Sequence, residues 1–256
     1  MTRALSLFVL ALVAGCSGNS NFSVSARGGA LGPPGGGSAA TDVGISIDRV
    51  RMVVRKIELE GRIISDAGMK VDRGHDHDRG HDRDHDEVEV VVGPFLIDLS
   101  GSALDGGIRK VFDAEVAPGV FDELEFQIRP VRPNEVPPDG GLAALAALRA
   151  SVVADGKVGG ADGGFSFVSG LEAEQEREGR FVVSAAPNAT MNITLNVDTS
   201  RWFVAKDGTL LDPRDPANRP AIEQNIRASI DIFDDHDGIG RENHGDDHGH
   251  GGGGHH

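Results

Sequence analysis

The alternation of apolar and polar positions divides the 256-residue chain into a central body with a period of two and flanks with none. The clearest stretch is TMNITLNVD, where Met191, Ile193, Leu195 and Val197 alternate with Thr190, Asn192, Thr194 and Asn196. That period belongs to an extended strand with one face buried and the other wet. Similar stretches predict strands near 45–59, 88–92, 95–99, 151–154, 165–168 and 180–185. In the first of these the apolar parity changes, from Val50, Met52 and Val54 to Ile57 and Leu59. One extra residue near Arg55, a β-bulge, would produce that shift. FDAEVAPGVFDELEFQIRP predicts a hairpin. Phe112, Ala114 and Val116 face inward on its first strand, and Leu124, Phe126 and Ile128 do so on its second against Glu123, Glu125 and Gln127. Between them Pro118 and Gly119 supply the fixed φ and the positive φ of a type II turn.

Two segments follow the helical period instead. GGLAALAALRAS spaces Leu142, Leu145 and Leu148 by three and predicts a helical insertion over 139–150. PAIEQNIRASIDIF places Ile222, Ile226, Ile230 and Phe233 on one face and predicts a helix over 220–233 that covers an opening between sheets, with Pro220 suited to its start. Many short strands, Gly-rich turns and few helices give a mainly β fold class: an antiparallel β-sandwich with one or two short helices, forming one domain over 43–238. Before it, SGNSNFSVSARGGALGPPGGGSAATD is rich in Gly, Ser and Ala and poor in periodic hydrophobics, and is expected to be a disordered, flexible tether over 16–42, with a mean reach of about 25–30 Å. After it, residues 239–256 form an expected disordered His/Gly-rich tail.

The succession FLIDLSG, VAPGVFDELEFQI, NITLNVDTSRWF, GTLLDP and IEQNIRASIDIFDDHDG resembles bacterial surface lipoproteins with prealbumin-like or carboxypeptidase-regulatory-like β-sandwich domains of unknown function. The resemblance covers most of 43–238, with Phe121 standing where Tyr is common. It implies a non-catalytic extracellular or periplasmic module, and it carries over no active residues. An immunoglobulin-like strand arrangement fits the same pattern.

The N-terminus adds an address. MTRALSLFVLALVAGCSG has one Arg, an apolar run too short to span a bilayer as a helix, and then Gly15 and Cys16, which fits a signal peptide over 1–15. Val13-Ala14-Gly15-Cys16 resembles a lipobox, in which Cys16 is lipidated and becomes the mature N-terminus. Cys16 is the chain's one cysteine, so no intramolecular disulfide competes for it. Ser17 after it resembles lipoproteins sorted to the outer membrane. The expected location is therefore the bacterial cell envelope, with the membrane as partner through the lipid.

The formal charge is −15. A phosphate-binding surface needs concentrated Lys and Arg, so nucleic acid is not an expected partner. All ten histidines lie outside the predicted strands. With Cys16 committed to lipid, the body has no His or Cys for a catalytic triad or a catalytic zinc, and no pair of acids stands out, so the chain is read as a non-enzyme. The first histidine tract, DRGHDHDRGHDRDHDE at 72–87, is expected to be a hairpin loop. His75, His77, His81 and His85 there, with His244, His248 and His250 in the tail, are candidate ligands for zinc, nickel or copper. The competing reading is a solvated loop whose opposite charges offset each other. Asp234, Asp235 and Asp237 are a candidate calcium turn, although Phe233 stands where an EF-hand needs its first ligand. The expected partners beyond the membrane are an envelope protein or a polysaccharide. The single Trp202 is read as a core plug rather than a sugar platform.

Overall fold

Two β-sheets arise from the alternating segments in the computed structural model, which describes residues 20–29, 44–63, 87–136, 140–159, 163–184, 186, 189–235, 238 and 240. In chain order the elements are β1 Ser20–Gly28, β2 Ile45–Ile63, β3 Glu87–Val92, β4 Phe95–Ser100, β5 Arg109–Val116, β6 Gly119–Ile128, α1 Gly141–Leu148, β7 Val152–Val158, β8 Gly164–Ser169, β9 Ala173–Val183, β10 Thr190–Val197, α2 Arg219–Ala228 and β11 Ile230–Asp234. The smaller sheet runs β11-β10-β1-β5. The larger runs β8-β7-β2-β6-β9, with β3 and β4 on the other edge of β2. The fold is mainly β, and among the described residues neither sheet closes into a barrel. Phe22, Val24 and Ile193 of the smaller sheet share one buried cluster with Val50, Ile97 and Phe126 of the larger. Among the described residues no helix is long and apolar enough to cross a membrane.

The parity shift in β2 is a bulge at Arg55, where pairing with β6 skips from Val54 to Lys56. Val50, Met52 and Val54 before it and Ile57 and Leu59 after it all reach the core, which one unbroken alternation could not achieve. The opposite edge breaks at the same level. There β3 and β4 pair successive halves of β2 and are separated by Gly93 and Pro94. A side chain on Gly93 would press on the Arg55 carbonyl oxygen at 2.8 Å, so the bulge and the glycine accommodate each other.

Beyond the bulge the outer face of the larger sheet changes character. Before it, Val53 and Val153 carry a second apolar cluster under α1, which buries Leu145 and Ala146. After it, β2 places Lys56, Glu58, Glu60 and Arg62 on that face. The second helix, α2, buries Ile222 and Ile226 in the main cluster.

Several expectations are corrected. The segment read as a tether contains β1, whose Phe22, Val24 and Ala26 are all fully buried. Its alternation of Phe, Val and Ala with small polar residues is easily mistaken for linker composition, because Ser is common in both. β1 pairs β10 in parallel, so the fold is not purely antiparallel. The 112–128 segment forms its two strands but not a hairpin, because β5 joins the smaller sheet and β6 the larger. Ala117 and Pro118 carry the chain between the sheets, and Gly119 has no positive φ. The helix expected over 220–233 ends at Ala228, and Ile230 and Phe233 lie on β11. Three β-type residues in IDIF favour a strand beside β10 over two more helical turns. In α1, Leu148 is 56% exposed and only Leu145 of the leucine stripe is fully buried.

Candidate functional site

Cross-strand register on the outer face of the larger sheet aligns glutamates from four strands. Glu89 of β3, Glu60 of β2, Glu123 of β6 and Glu178 of β9 form one row. Glu58, Glu125 and Glu176 form the next, followed by Lys56, Gln127 and Glu174. Directly opposed side chains on a sheet sit about 5 Å apart, and like charges there are destabilising. Lys56 is the one cation within these rows. Its Nζ donates to Glu58 and lies 3.0 Å from Oε1 of Glu125. Gln127 donates to Glu174 at 2.8 Å.

Protonation follows this layout. The hydrogen bond from Lys56 holds the Glu58 carboxyl below its ordinary range, and the same bond raises the lysine. Glu89 is pushed up, first by the charge of Glu58. Glu123 is pushed up by desolvation and then by Glu176, Glu60, Glu125 and Glu178. An open cavity of about 250 Å³ lies at the β2–β3 end of the first row, lined by Glu60, Gly61, Arg62, Val88, Glu89 and Asp122. Gly61 is required there, because any side chain would strike the Phe121 backbone across the strand pair.

β2 and β3 form a hairpin whose last register pair is Arg62 and Glu87. Residues 64–86 therefore leave from and return to one edge of the glutamate-bearing strands. His75, His77, His81 and His85 lie outside the described residues, as do His244, His248, His250 and Cys16. Among the described residues, no three His, Cys, Asp or Glu side chains converge on a metal-sized site, so the glutamates form a spread surface rather than a cage.

The candidate calcium turn is not assembled by its described members. Asp235 is fully buried, and its Oδ2 accepts from Thr194 Oγ1 at 2.7 Å and from the Gly240 amide at 2.7 Å. Arg27, also buried, donates to the Gly240 carbonyl at 2.6 Å. Asp235 and Gly240 are thus clasped to Thr194 and Arg27 on the outer face of the smaller sheet, which brings Gly240 into the domain rather than the tail. This is also why Thr194 and Asn196, expected on a wet face, are buried. Asp234 is the neighbouring strand residue and faces the other way, while Asp237 lies outside the described residues.

Trp202 is fully buried and donates from Nε1 to Ser229 Oγ at 2.6 Å, so it offers no sugar platform. In the sequence Glu123 and Glu125 stand only as the polar half of a strand. The available signal is acid on alternate positions of ELE at 58–60, EVE at 87–89, ELE at 123–125 and EQERE at 174–178, which becomes a surface only once those strands are neighbours. No family model matches the chain, and neither a curated protein nor a solved structure matches it.

Proposed function

We propose that the chain is a non-enzymatic lipoprotein of the bacterial cell envelope, anchored through Cys16 to the outer membrane, whose domain binds a partner through its glutamate face. The two sheets around a shared core are read as a sandwich of the prealbumin-like or immunoglobulin-like kind. The observation that carries the binding role is the alignment of glutamates across four adjacent strands. A sheet selected for stability alone would alternate charges there, whereas an array of one sign favours encounter with the opposite sign. The partner it fits is a basic surface of an envelope protein, and an anionic polysaccharide would be repelled. Replacing Glu60, Glu123 and Glu178 by Gln should weaken binding of an oligolysine peptide about tenfold and flatten its salt dependence. Neutralising Asp113, Glu115 and Asp207, which lie off this face, should not. Equal affinity in both triple variants would overturn the assignment.

A second reading, zinc, nickel or copper capture by the histidine tract, is favoured by the β2–β3 hairpin, which ties both ends of 64–86 beside the glutamate rows. Deleting 72–87 should remove the zinc bound by His75, His77, His81 and His85 in calorimetry and leave only what His244, His248 and His250 hold. Affinity of the intact protein should fall as the pH drops through about 6.5, where imidazole takes up its proton.

A further inference from the structure

β1 begins at Ser20, so only Ser17, Gly18 and Asn19 separate it from Cys16. Four fully extended steps of chain reach at most about 14 Å. β1 is also no loose strand. It lies inside the smaller sheet, between β10 and β5, and Phe22, Val24 and Ala26 are fully buried. Lipid on Cys16 therefore holds the folded domain, and not a tether, next to the headgroups.

Register identifies which end is held. Ser20 pairs with Val116, from which Ala117 and Pro118 lead directly to Gly119. Gly119 pairs with Ile63 on one side and Val183 on the other. The Ser20 hydroxyl donates to the Ser184 carbonyl. Ser20, Ile63, Gly119 and Val183 thus share one end of the molecule. Its outer surface differs from the glutamate rows further along. Ile63 is 42% exposed and Val182 40%. Arg62, Val120 and Val182 form one cross-strand row, and Arg180 is exposed beside it. Asp122 and Glu87, the register partner of Arg62, are acids at the same level. Exposed aliphatics flanked by arginines suit the boundary between acyl chains and anionic headgroups.

We infer that this end of the domain, marked by Arg62, Ile63, Arg180 and Val182, is a docking surface for an anionic phospholipid leaflet, on which the short connection from Cys16 seats it. The inference rests on the lipoprotein reading of Cys16. It places the base of the β2–β3 hairpin at the membrane and runs the glutamate face up the side of the domain, its first row beginning two residues along β2 from Arg62, about 7 Å further out.

The test uses the acylated full chain in vesicles of phosphatidylethanolamine and phosphatidylglycerol. With Cys16 acylated, an introduced cysteine is the one free thiol for a fluorophore. Val182→Cys reports on the proposed surface. Lys157→Cys, opposite Ser46 on β2, reports from the other end, about 50 Å of strand away. Headgroup nitroxide lipids should quench the Val182→Cys label and leave the Lys157→Cys label unquenched. Inserting about twenty Gly and Ser residues after Asn19, which adds about 25 Å of mean reach, should abolish the quenching. Equal quenching of both labels, or none at either, in protein whose N-terminal peptide carries acyl chains by mass spectrometry overturns the docking geometry alone. A Cys16 without acyl chains overturns the lipoprotein reading and the docking together.

Discussion

Asp235 shows how much a single side chain can settle. In sequence it belongs to an acidic run that invites comparison with calcium loops, and in the structure one of its oxygens accepts from Thr194 and from the Gly240 amide. Asp235→Ala would leave both donors buried without that acceptor and should cost about 2–3 kcal/mol, readable as a shift in the urea midpoint. No alternation rule exposes such a role, because the partners come from a distant strand and from a residue beyond the last one. Glu123 illustrates the opposite case. Its raised protonation means that the folded chain holds this proton more tightly than the unfolded chain. Its ionised form therefore destabilises as the pH rises above the ordinary glutamate value of 4.5. Glu123→Gln should raise the melting temperature at pH 7, and the advantage should vanish as the pH falls below that value. Asp98 behaves the other way. The hydrogen bond from Arg49 holds its carboxyl low, so the stability it contributes is present above the ordinary aspartate value of 3.8 and is lost as the pH falls further.

At the scale of elements, β3, β4, β6, β8 and most of β2 are legible because apolar residues recur at every second position, and the bulge at Arg55 announces itself as a change of parity, whereas β9 is expected only over 180–185 because its first half, AEQEREG from Ala173, carries no apolar alternation. What failed were the elements whose identity depends on neighbours. β1 reads SNFSVSARG, with only Phe22 and Val24 as strong strand formers, and a Gly-rich segment follows it. It is held as a strand by β10 and β5. β11 was absorbed into the helix before it because Ile222, Ile226 and Ile230 fit helical spacing, until pairing with β10 claims the last of them. The 112–128 segment reads in sequence as a hairpin, since sequence does not say which sheet a strand will join. Phe22→Ala separates a buried strand from a tether directly. It should cost about 3–5 kcal/mol in chemical denaturation, whereas the same change in a linker would leave the midpoint where it was.

Across the whole molecule, the glutamate face was written in the sequence as alternating acids on four separate segments, and only strand order assembles it. The order of the strands also governs how the chain acquires its shape. β1 near one terminus waits for β10, so Phe22 meets Met191 only after nearly the whole domain exists. Contacts so distant along the chain slow folding, and refolding should run on the millisecond-to-second scale. Trp202, the single tryptophan and a buried one, makes stopped-flow fluorescence the natural readout. A segment made well before the strand that locks it in place spends the interval with its Phe and Val uncovered. Until β10 arrives, that exposed edge is the part of a nascent chain that a holding chaperone would have most reason to grip.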